Sequence, residues 1–550
     1  MEHETKFLVK RISLKSKDLT QIDDTLLRHL RNNIENRCDT CGFVTKVHGI
    51  ESRSRGITDT NSFSGDVTFD VWFQADVVKV SDGDILLGCN VTLISPPGIF
   101  LEKDKFIKIF INSKYLPKDF TKTIKTNQKL NVYVMKSNCD LSRTQIDVLG
   151  RIHFYAEVPL VNRYVSLLQM KSDSGANKFI DIVTRDDKDI IDNLCELGYL
   201  PKIKDAKKEI DEIPEKVWKF YRSLLNPLEL VYSPSGYSTF RIKPKNETVA
   251  VPSRAYFKLW EIINRFDVVP KKDEITVANL CEAPGGFVKA LIDYRGMHGL
   301  GKKDKYFVVT LQGKDTINFS KELLSKYKSQ ITLGPIGCSC DLTREETLNG
   351  CIKAFGKNKC DIVTADGGIK TSQMDFEEEK ETGVLKASEL VTALSIQREG
   401  GVFIWKLFDT CTRLTADLLF IINQYYKDVI LYKPETSRPA NSERYVVASG
   451  FTGIKSEELE ALKMIVKEHK KYLVSIVSEE ERGRDAYTNF SRELNVFNGR
   501  LMETQYKKIK ETLNMIKFND MKVISGNELK EYQDRQKMIA SNWARKNDLI

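Results

Sequence analysis

Four ionisable side chains interrupt apolar sequence in this chain: Lys258 in "PSRAYFKLWEII", Asp366 in "VTADGG", Lys406 in "FIWKLFD" and Glu443 in "NSERYVV". Taken singly, each reads as a solvated or salt-bridged group, because long charged side chains usually reach water or a partner. Asp366, Lys406 and Glu443 stand where apolar runs begin or end, at the edge where an α/β sheet binds its ligands. Two lysines with two carboxylates suit removal of the proton from a weak acid such as a ribose 2′-hydroxyl, a step that needs a base of tuned pKa. Lysine serves when a second ammonium and partial burial pull its pKa down while carboxylates hold it in place. Lys406, surrounded by Lys258, Asp366 and Glu443, is the expected base.

A second feature is "VANLCEAPGGFVKAL", Val277 to Leu291. It predicts a buried strand, a tight turn at Pro284, Gly285 and Gly286, and an amphipathic helix. The plain alternative is that Pro-Gly-Gly only turns the chain. Two glycines also let backbone approach a ligand at the end of a first strand. The stretch has neither the spacing of a dinucleotide fingerprint nor the Gly-Lys-Ser/Thr of a phosphate loop. Among nucleotide cofactors, S-adenosylmethionine is the one left.

Elements must position these groups. Between about Val251 and Phe451, strands such as "ITVANLCEA", "YFVVTL", "CDIVTADGG", "VFIWKLF", "DVILYKP" and "RYVVAS" alternate with helices, which implies a mostly parallel sheet with crossover helices. From Cys41 to about Leu149 the texture is β, with alternating β-branched and aromatic residues between turns. Charged, helix-period sequence follows from about Arg185 to Leu228, and Lys455 to Ile550 reads as amphipathic helix. At 550 residues the chain exceeds one core. Charged residues make up 29%, and no apolar run approaches membrane-spanning length. The charged N-terminus lacks a secretory core, and eleven scattered cysteines fit reduced thiols, so a cytoplasmic protein with no membrane partner is expected. A net charge of +9 permits a polyanionic partner without requiring one.

At the four polar residues the sequence resembles the FtsJ-type RNA 2′-O-methyltransferases, over about Val251 to Phe451. That resemblance makes Lys258, Asp366, Lys406 and Glu443 the catalytic tetrad of a Rossmann-like domain. "CEAPGGF", "VVTLQG", "CDLT", "TADGG" and "KPETSRPANSERYVV" are most similar to the enzymes that methylate the first transcribed nucleotide of capped mRNA. It further implies that Glu282, Ala283, Pro284, Gly285, Gly286 and Phe287 line the methionine end of S-adenosylmethionine. Thr310 and Leu311 would lie near its ribose, Asp341 and Leu342 near its adenine, with Asp366 also at the cofactor. Cys340 precedes Asp341 where glycine is frequent, and Asp341 serves equally well as a cap for the helix of "REETLNG". Beside the tetrad, Arg254, Arg438, Asn441 and Ser442 are the candidate substrate contacts.

The β-rich part, "CGFVTKVHGI" through "LISPPGIFLE", resembles the RNA polymerase stalk subunit that joins a tip domain to an OB barrel, over about Met1 to Tyr155. The expected domains are a stalk tip-like domain over 1–80, an OB-fold domain over 81–155, a linker with helices over 156–215, the methyltransferase domain over 216–454 and a helical extension over 455–550. The implied partners are capped mRNA and a multisubunit RNA polymerase. Such a fusion is expected of a large cytoplasmic DNA virus. Ribosomal or transfer RNA methylation, or a non-enzymatic polymerase subunit keeping the fold, are the alternatives. Cys38 and Cys41 form half a zinc spacing without a second pair, and no metal is expected.

Overall fold

In the computed structural model the chain divides into two compact units, Met1–Glu157 and Val158–Ile550. The structure describes every residue except 1, 59–64, 83, 117–120, 122–123, 153–163, 167–179, 186–198, 234–235, 246, 248, 314–315, 357–358, 369–377 and 468–471. Much of the expected linker, including most of "DDKDIIDNLCELGYL", lies outside the described residues. No helix of the described residues is long and apolar enough to cross a membrane.

In the first unit, strand β5 (Val67–Lys79) pairs antiparallel with β1 (Glu2–Leu14) on one side. On the other it pairs with β3 (Gly42–Arg53), which carries β2 (Arg37–Asp39), and the short β4 (Ile57–Thr58) also joins β5. The alternation in "VTFDVWFQADVVK" turns Phe69, Val71, Phe73, Ala75 and Val77 to one face, where Leu26 and Leu30 of helix α1 (Ile22–Asn33) share their core. Five further strands close into a barrel: β6 (Ile85–Ser95), β7 (Gly98–Lys103), β8 (Ile107–Asn112), β9 (Lys129–Asn138) and β10 (Ile146–Ile152). Their order around the barrel is β6-β7-β8-β10-β9, with β8 and β10 parallel and the other pairs antiparallel. Val91, Ile99, Leu101, Ile109, Val132 and Val148 fill the interior. Cys38 of the candidate half-site is buried, and its thiol meets the Gln145 carbonyl at 3.3 Å.

The second unit is built on an eight-stranded sheet. Strands β13 (Thr276–Leu280), β14 (Lys305–Val309), β15 (Ile331–Leu333), β16 (Cys360–Ala365) and β17 (Gln397–Leu407) are parallel, in the spatial order β15-β14-β13-β16-β17. Strand β19 (Arg444–Phe451) enters antiparallel beside β17, and β18 (Tyr426–Tyr432) and β11 (Tyr164–Ser166) complete that edge. From β13 the chain winds outward to β14 and β15, then returns to β16 on the other side. A crevice therefore opens past the ends of β13 and β16, the place where such sheets bind ligands. Period-two alternation feeds two cores. Ala278, Leu280, Val363, Ala365, Phe403 and Trp405 enter one, and Val277, Ile362, Val402, Ile404 and Val447 the other.

The tail is largely helical, as expected, but also holds a strand. "YLVSIV" forms β20 (Tyr472–Val477) and pairs with β12 (Ile180–Arg185) from the stretch read as linker. It is an apolar, β-branched run, and the Asp417 carboxylate accepts the amides of Ile476 and Val477 at 2.9 and 3.1 Å. The last helix, Gly526–Lys546, packs back into the same unit. Its Gln536 amide donates to the carbonyls of Ser223, Leu224 and Asn226 at 2.8, 3.1 and 2.7 Å.

Candidate active site

The four residues expected as a tetrad come from four elements and meet past the strand ends. Lys258 lies on helix α2 (Ala255–Phe266), Asp366 just after β16, Lys406 near the end of β17 and Glu443 just before β19. Register explains the assembly: Ala365 pairs with Trp405, so Asp366 stands beside Lys406, and Lys406 pairs with Tyr445, which brings Glu443 to the same edge. Lys258 Nζ lies 2.7 Å from Glu443, and Lys406 Nζ lies 3.2 Å from Asp366 Oδ1. The two ion pairs also feel each other. Burial pushes the Glu443 carboxyl up, but Lys258, then Lys406, and also Lys433 outweigh it and hold the pKa at about 2.

One expectation is corrected here. Burial does pull the Lys406 ammonium down, but Asp366 and then Glu443 overcome it and raise Lys406 above the ordinary lysine value. The second ammonium does not reverse this, because Lys258 is matched by Glu443. In the free protein Lys406 therefore holds its proton.

The loop that presents Glu443 is tied down from inside. Glu261, one turn from Lys258 on the same face of α2, accepts the amides of Glu435 and Thr436 at 2.6 and 3.1 Å and the Thr436 hydroxyl at 3.0 Å. Buried Lys433 donates to the Asn441 carbonyl, the Asn441 side chain and the Glu443 carbonyl at 2.9, 2.8 and 2.9 Å. Asn441, a candidate substrate contact, is thus engaged within the loop. Arg254 and Arg438 both reach Glu229, at 3.1 and 2.6 Å, and Arg254 also donates to the carbonyls of Leu228, Glu229 and Tyr232. Ser442 lends its carbonyl to the Asp409 amide at 3.3 Å. All four candidate substrate residues lie in or beside the tetrad loop and carry internal bonds, three of them through their side chains.

The stretch that holds these four residues has known relatives. Residues 251–451 match the FtsJ-like methyltransferase family. This stretch is an FtsJ-like methyltransferase domain. An uncharacterised protein of Acanthamoeba polyphaga mimivirus is 29% identical over 47% of this chain and 32% of its own length. Cap-specific mRNA (nucleoside-2′-O-)-methyltransferase 1 of Bos taurus is 28% identical over 57% of this chain and 36% of its own. A Caenorhabditis briggsae relative named as an inactive cap-specific mRNA methyltransferase 1B is 27% identical over 49% of this chain and 34% of its own. The chain spans about a third of the length of these curated relatives.

Within the methyltransferase domain, the Pro-Gly-Gly turn leads from β13 into helix α3 (Gly286–Met297). Gly285 takes φ +111°, and a β-carbon there would come within 2.8 to 3.1 Å of Leu323 and Phe319. A β-carbon on Gly286 would lie 2.5 Å from Ser253 Oγ. Both glycines are therefore required by the chain's own packing as well as by any ligand that approaches the turn. Glu282 is buried and accepts the amides of Phe287 and Val288 at 2.8 and 3.0 Å, capping α3. Asp341 accepts the Thr343 amide at 3.0 Å and hydroxyl at 2.7 Å in the turn before helix Glu345–Phe355, whose N-cap is Arg344, so Asp341 shapes that turn without capping the helix. Cys340 adopts φ +57°, the conformation that favours glycine.

The crevice fits a cationic nucleoside. Ser253 Oγ beside Gly286 is buried without a hydrogen-bond partner among the described residues. Asp366 supplies a carboxylate for a positive centre, Leu311 an apolar surface that is 49% exposed, and the Asp341 side chain is 31% exposed. Sequence reasoning missed two residues around Asp366. Tyr445 donates its hydroxyl to Asp366 Oδ1 at 2.9 Å, yet reads as one more residue of a buried strand. Glu389 accepts the Gly367 amide at 3.1 Å, yet in "LKASELVTAL" it reads as an ordinary solvated charge.

Proposed function

We propose that this chain transfers a methyl group from S-adenosylmethionine to the 2′-hydroxyl of the first transcribed nucleotide of capped mRNA. The convergence of Lys258, Asp366, Lys406 and Glu443 from four elements carries the reading. S-adenosylmethionine would supply an electrophilic methyl when bound. Asp366, Ser253 and the backbone of Glu282 to Phe287 would hold its amino-acid end, Thr310 and Leu311 its ribose, Asp341 and Leu342 its adenine. Lys406 would take the hydroxyl proton, with Asp366 and Glu443 orienting its ammonium and Lys258 fixing Glu443. Lys406 reaches its neutral form more readily once the charge of Asp366 is shared with a bound cation. Rate should then rise on the alkaline side of neutrality.

The relatives named for cap methylation favour capped RNA over ribosomal or transfer RNA. The existence of an inactive relative makes the intact tetrad, and not the family alone, the ground for an active enzyme. For the first unit, the barrel order with one parallel pair is that expected of an OB fold, which supports the stalk-like reading. Leu93, Phe100, Phe110 and Leu149 pair in register across four barrel strands, and Leu93, Phe100 and Leu149 are 54%, 39% and 39% exposed. That row is a face for docking to a polymerase or for stacking nascent RNA. Tethering would raise the enzyme's concentration at the new 5′ end. A cytoplasmic, viral setting accords with this reading.

The test is incubation with labelled S-adenosylmethionine and capped or uncapped RNA, followed by identification of the methylated position. Label on the first transcribed ribose of capped RNA supports the reading. Label on uncapped ribosomal or transfer RNA alone would replace it.

A further inference from the structure

Helix α4 (Gly383–Ile396) runs beneath the tetrad and carries two charges where none can reach water: Lys386 is 4% exposed and Glu389 0%. Glu389 Oε1 accepts the Gly367 amide at 3.1 Å, and its Oε2 accepts the Trp405 indole N–H and Lys386 Nζ, each at 2.8 Å. Lys386 also donates to the Gly367 carbonyl at 2.8 Å. The pair thus holds both polar groups of the residue that follows Asp366, and the side chain of the residue that precedes Lys406. A β-carbon on Gly367 would lie 2.0 Å from Glu389 Oε1, so the carboxylate rests against bare backbone.

A buried ion pair is weak evidence for stability, because well-packed apolar residues often do as well. What an apolar pair could not do is accept donors from two neighbouring strand ends at once. We propose that Glu389 and Lys386 are positioning residues for methyl transfer, fixing where Asp366 and Lys406 stand and setting the charge that Lys406 feels. This rests on the reading of Lys406 as the group that takes the substrate proton.

The groups facing Lys406 give the sign. Asp366, Glu443 and Glu389 favour its ammonium, and Glu378 also interacts with it. Lys258 stands behind Glu443 and Tyr445 behind Asp366, the half-buried Cys281 thiol faces both Glu389 and Lys406, and Lys386 and Lys406 flank the Phe408 ring at 5.8 and 5.4 Å. Glu389→Gln removes one anion and leaves Lys386 uncompensated. Lys406 should then release its proton at lower pH. Lys386→Met with Glu389→Gln removes both charges and should return that titration toward wild type.

The experiment follows lysine side-chain resonances against pH in the free protein, with Lys406→Ala assigning the signal, alongside steady-state kinetics on capped RNA. Glu389→Gln should titrate Lys406 about one pH unit lower. Its kcat should fall about 10- to 100-fold, the effect of a small displacement of reacting groups, with KM for RNA and for S-adenosylmethionine within about twofold. A folded Glu389→Gln protein with wild-type titration and wild-type kcat would overturn the proposal. If the single variant does not fold, the double variant carries the test. A reduced kcat with near wild-type titration supports the clamp, and a wild-type kcat overturns it. Wild-type protein inactive on capped RNA, with the titration still moving in Glu389→Gln, would sink the function reading while the electrostatic role survives.

Discussion

Glu229 and Glu443 are both buried carboxylates set among cations, 0% and 7% exposed. For both, burial pushes the pKa up and neighbouring cations more than reverse it. They differ in what those cations are. At Glu229 they are the guanidiniums of Arg254 and Arg438, and Arg254 spends further N–H groups on backbone carbonyls. An arginine never gives up its proton in a protein, so this cluster cannot move one. At Glu443 they are lysines at a strand-end crevice, beside a second carboxylate. A lysine can change protonation state, so the same arithmetic of charge becomes a device for moving a proton. Burial and pairing alone do not mark a reactive site; the identity of the cation and its access to a crevice do.

The sharpest break between the two clusters is chemical. Lys406→Ala should lower methyl transfer by about 10²- to 10⁴-fold, the usual worth of a general base, with S-adenosylmethionine affinity nearly unchanged. Turnover and calorimetric binding on one preparation check it. Near wild-type turnover would leave the Glu443 cluster as structural as the other.

The complementary substitution is Glu229→Ala. It strands two guanidiniums, and breaking a buried pair from one side typically costs about 3–5 kcal/mol. Urea unfolding should show the midpoint falling with the slope unchanged. An unaltered midpoint would mean the cluster is not the structural weld described here.

How much of this was legible before the fold was known follows from the same contrast. Asp366, Lys406 and Glu443 announce themselves because each breaks an apolar run at a strand end, and Lys258 because it interrupts an otherwise apolar helix. Glu229 does not, since "NPLELVY" gives no sign that its glutamate faces two arginines from distant segments, the same Arg254 and Arg438 that stand as candidate substrate contacts. Tyr445 was hidden because a tyrosine in "RYVV" counts as apolar, although its hydroxyl is the part that matters. Lys386 and Glu389, three apart on a helix, look like a surface pair until the helix is seen to be buried all round. The alternation of "VTFDVWFQADVVK" and of the barrel strands gave the first unit's β texture directly. The pairing of β12 with β20 joins segments so far apart that only the assembled core could place them.

Acid should separate the clusters less severely than mutation. With its pKa held at about 2 in the folded protein, Glu443 is depressed below its unfolded value of about 4.3. A depressed carboxyl contributes stability that is fully present above the unfolded pKa and is lost as pH falls through the folded one. Between about pH 4.5 and 2 the wild type should lose about 3 kcal/mol on this account, by the value of one pKa unit. Glu443→Gln has no such group and should show a shallower loss over the same range. Parallel stability-against-pH curves for the two proteins would show that the lysines around Glu443 do not set its ionisation.

The finest probe is Tyr445→Phe. The ring is buried and packs near Phe287, with centroids 6.1 Å apart, so removing only the hydroxyl keeps the shape of the strand. What disappears is the 2.9 Å donation to Asp366 Oδ1, the oxygen that also faces Lys406 at 3.2 Å. Without that donor, more of the charge of Asp366 falls on Lys406, which should hold its proton more tightly. One hydrogen bond of this kind is worth about 0.5–1.5 kcal/mol, so kcat should fall about 2- to 10-fold. The alkaline rise in rate should move to higher pH, opposite in direction to Glu389→Gln. Stability should change little, because Asp366 keeps its lysine. A drop in stability with an unmoved pH profile would place Tyr445 with the welded cluster around Glu229 and not with the proton-handling one.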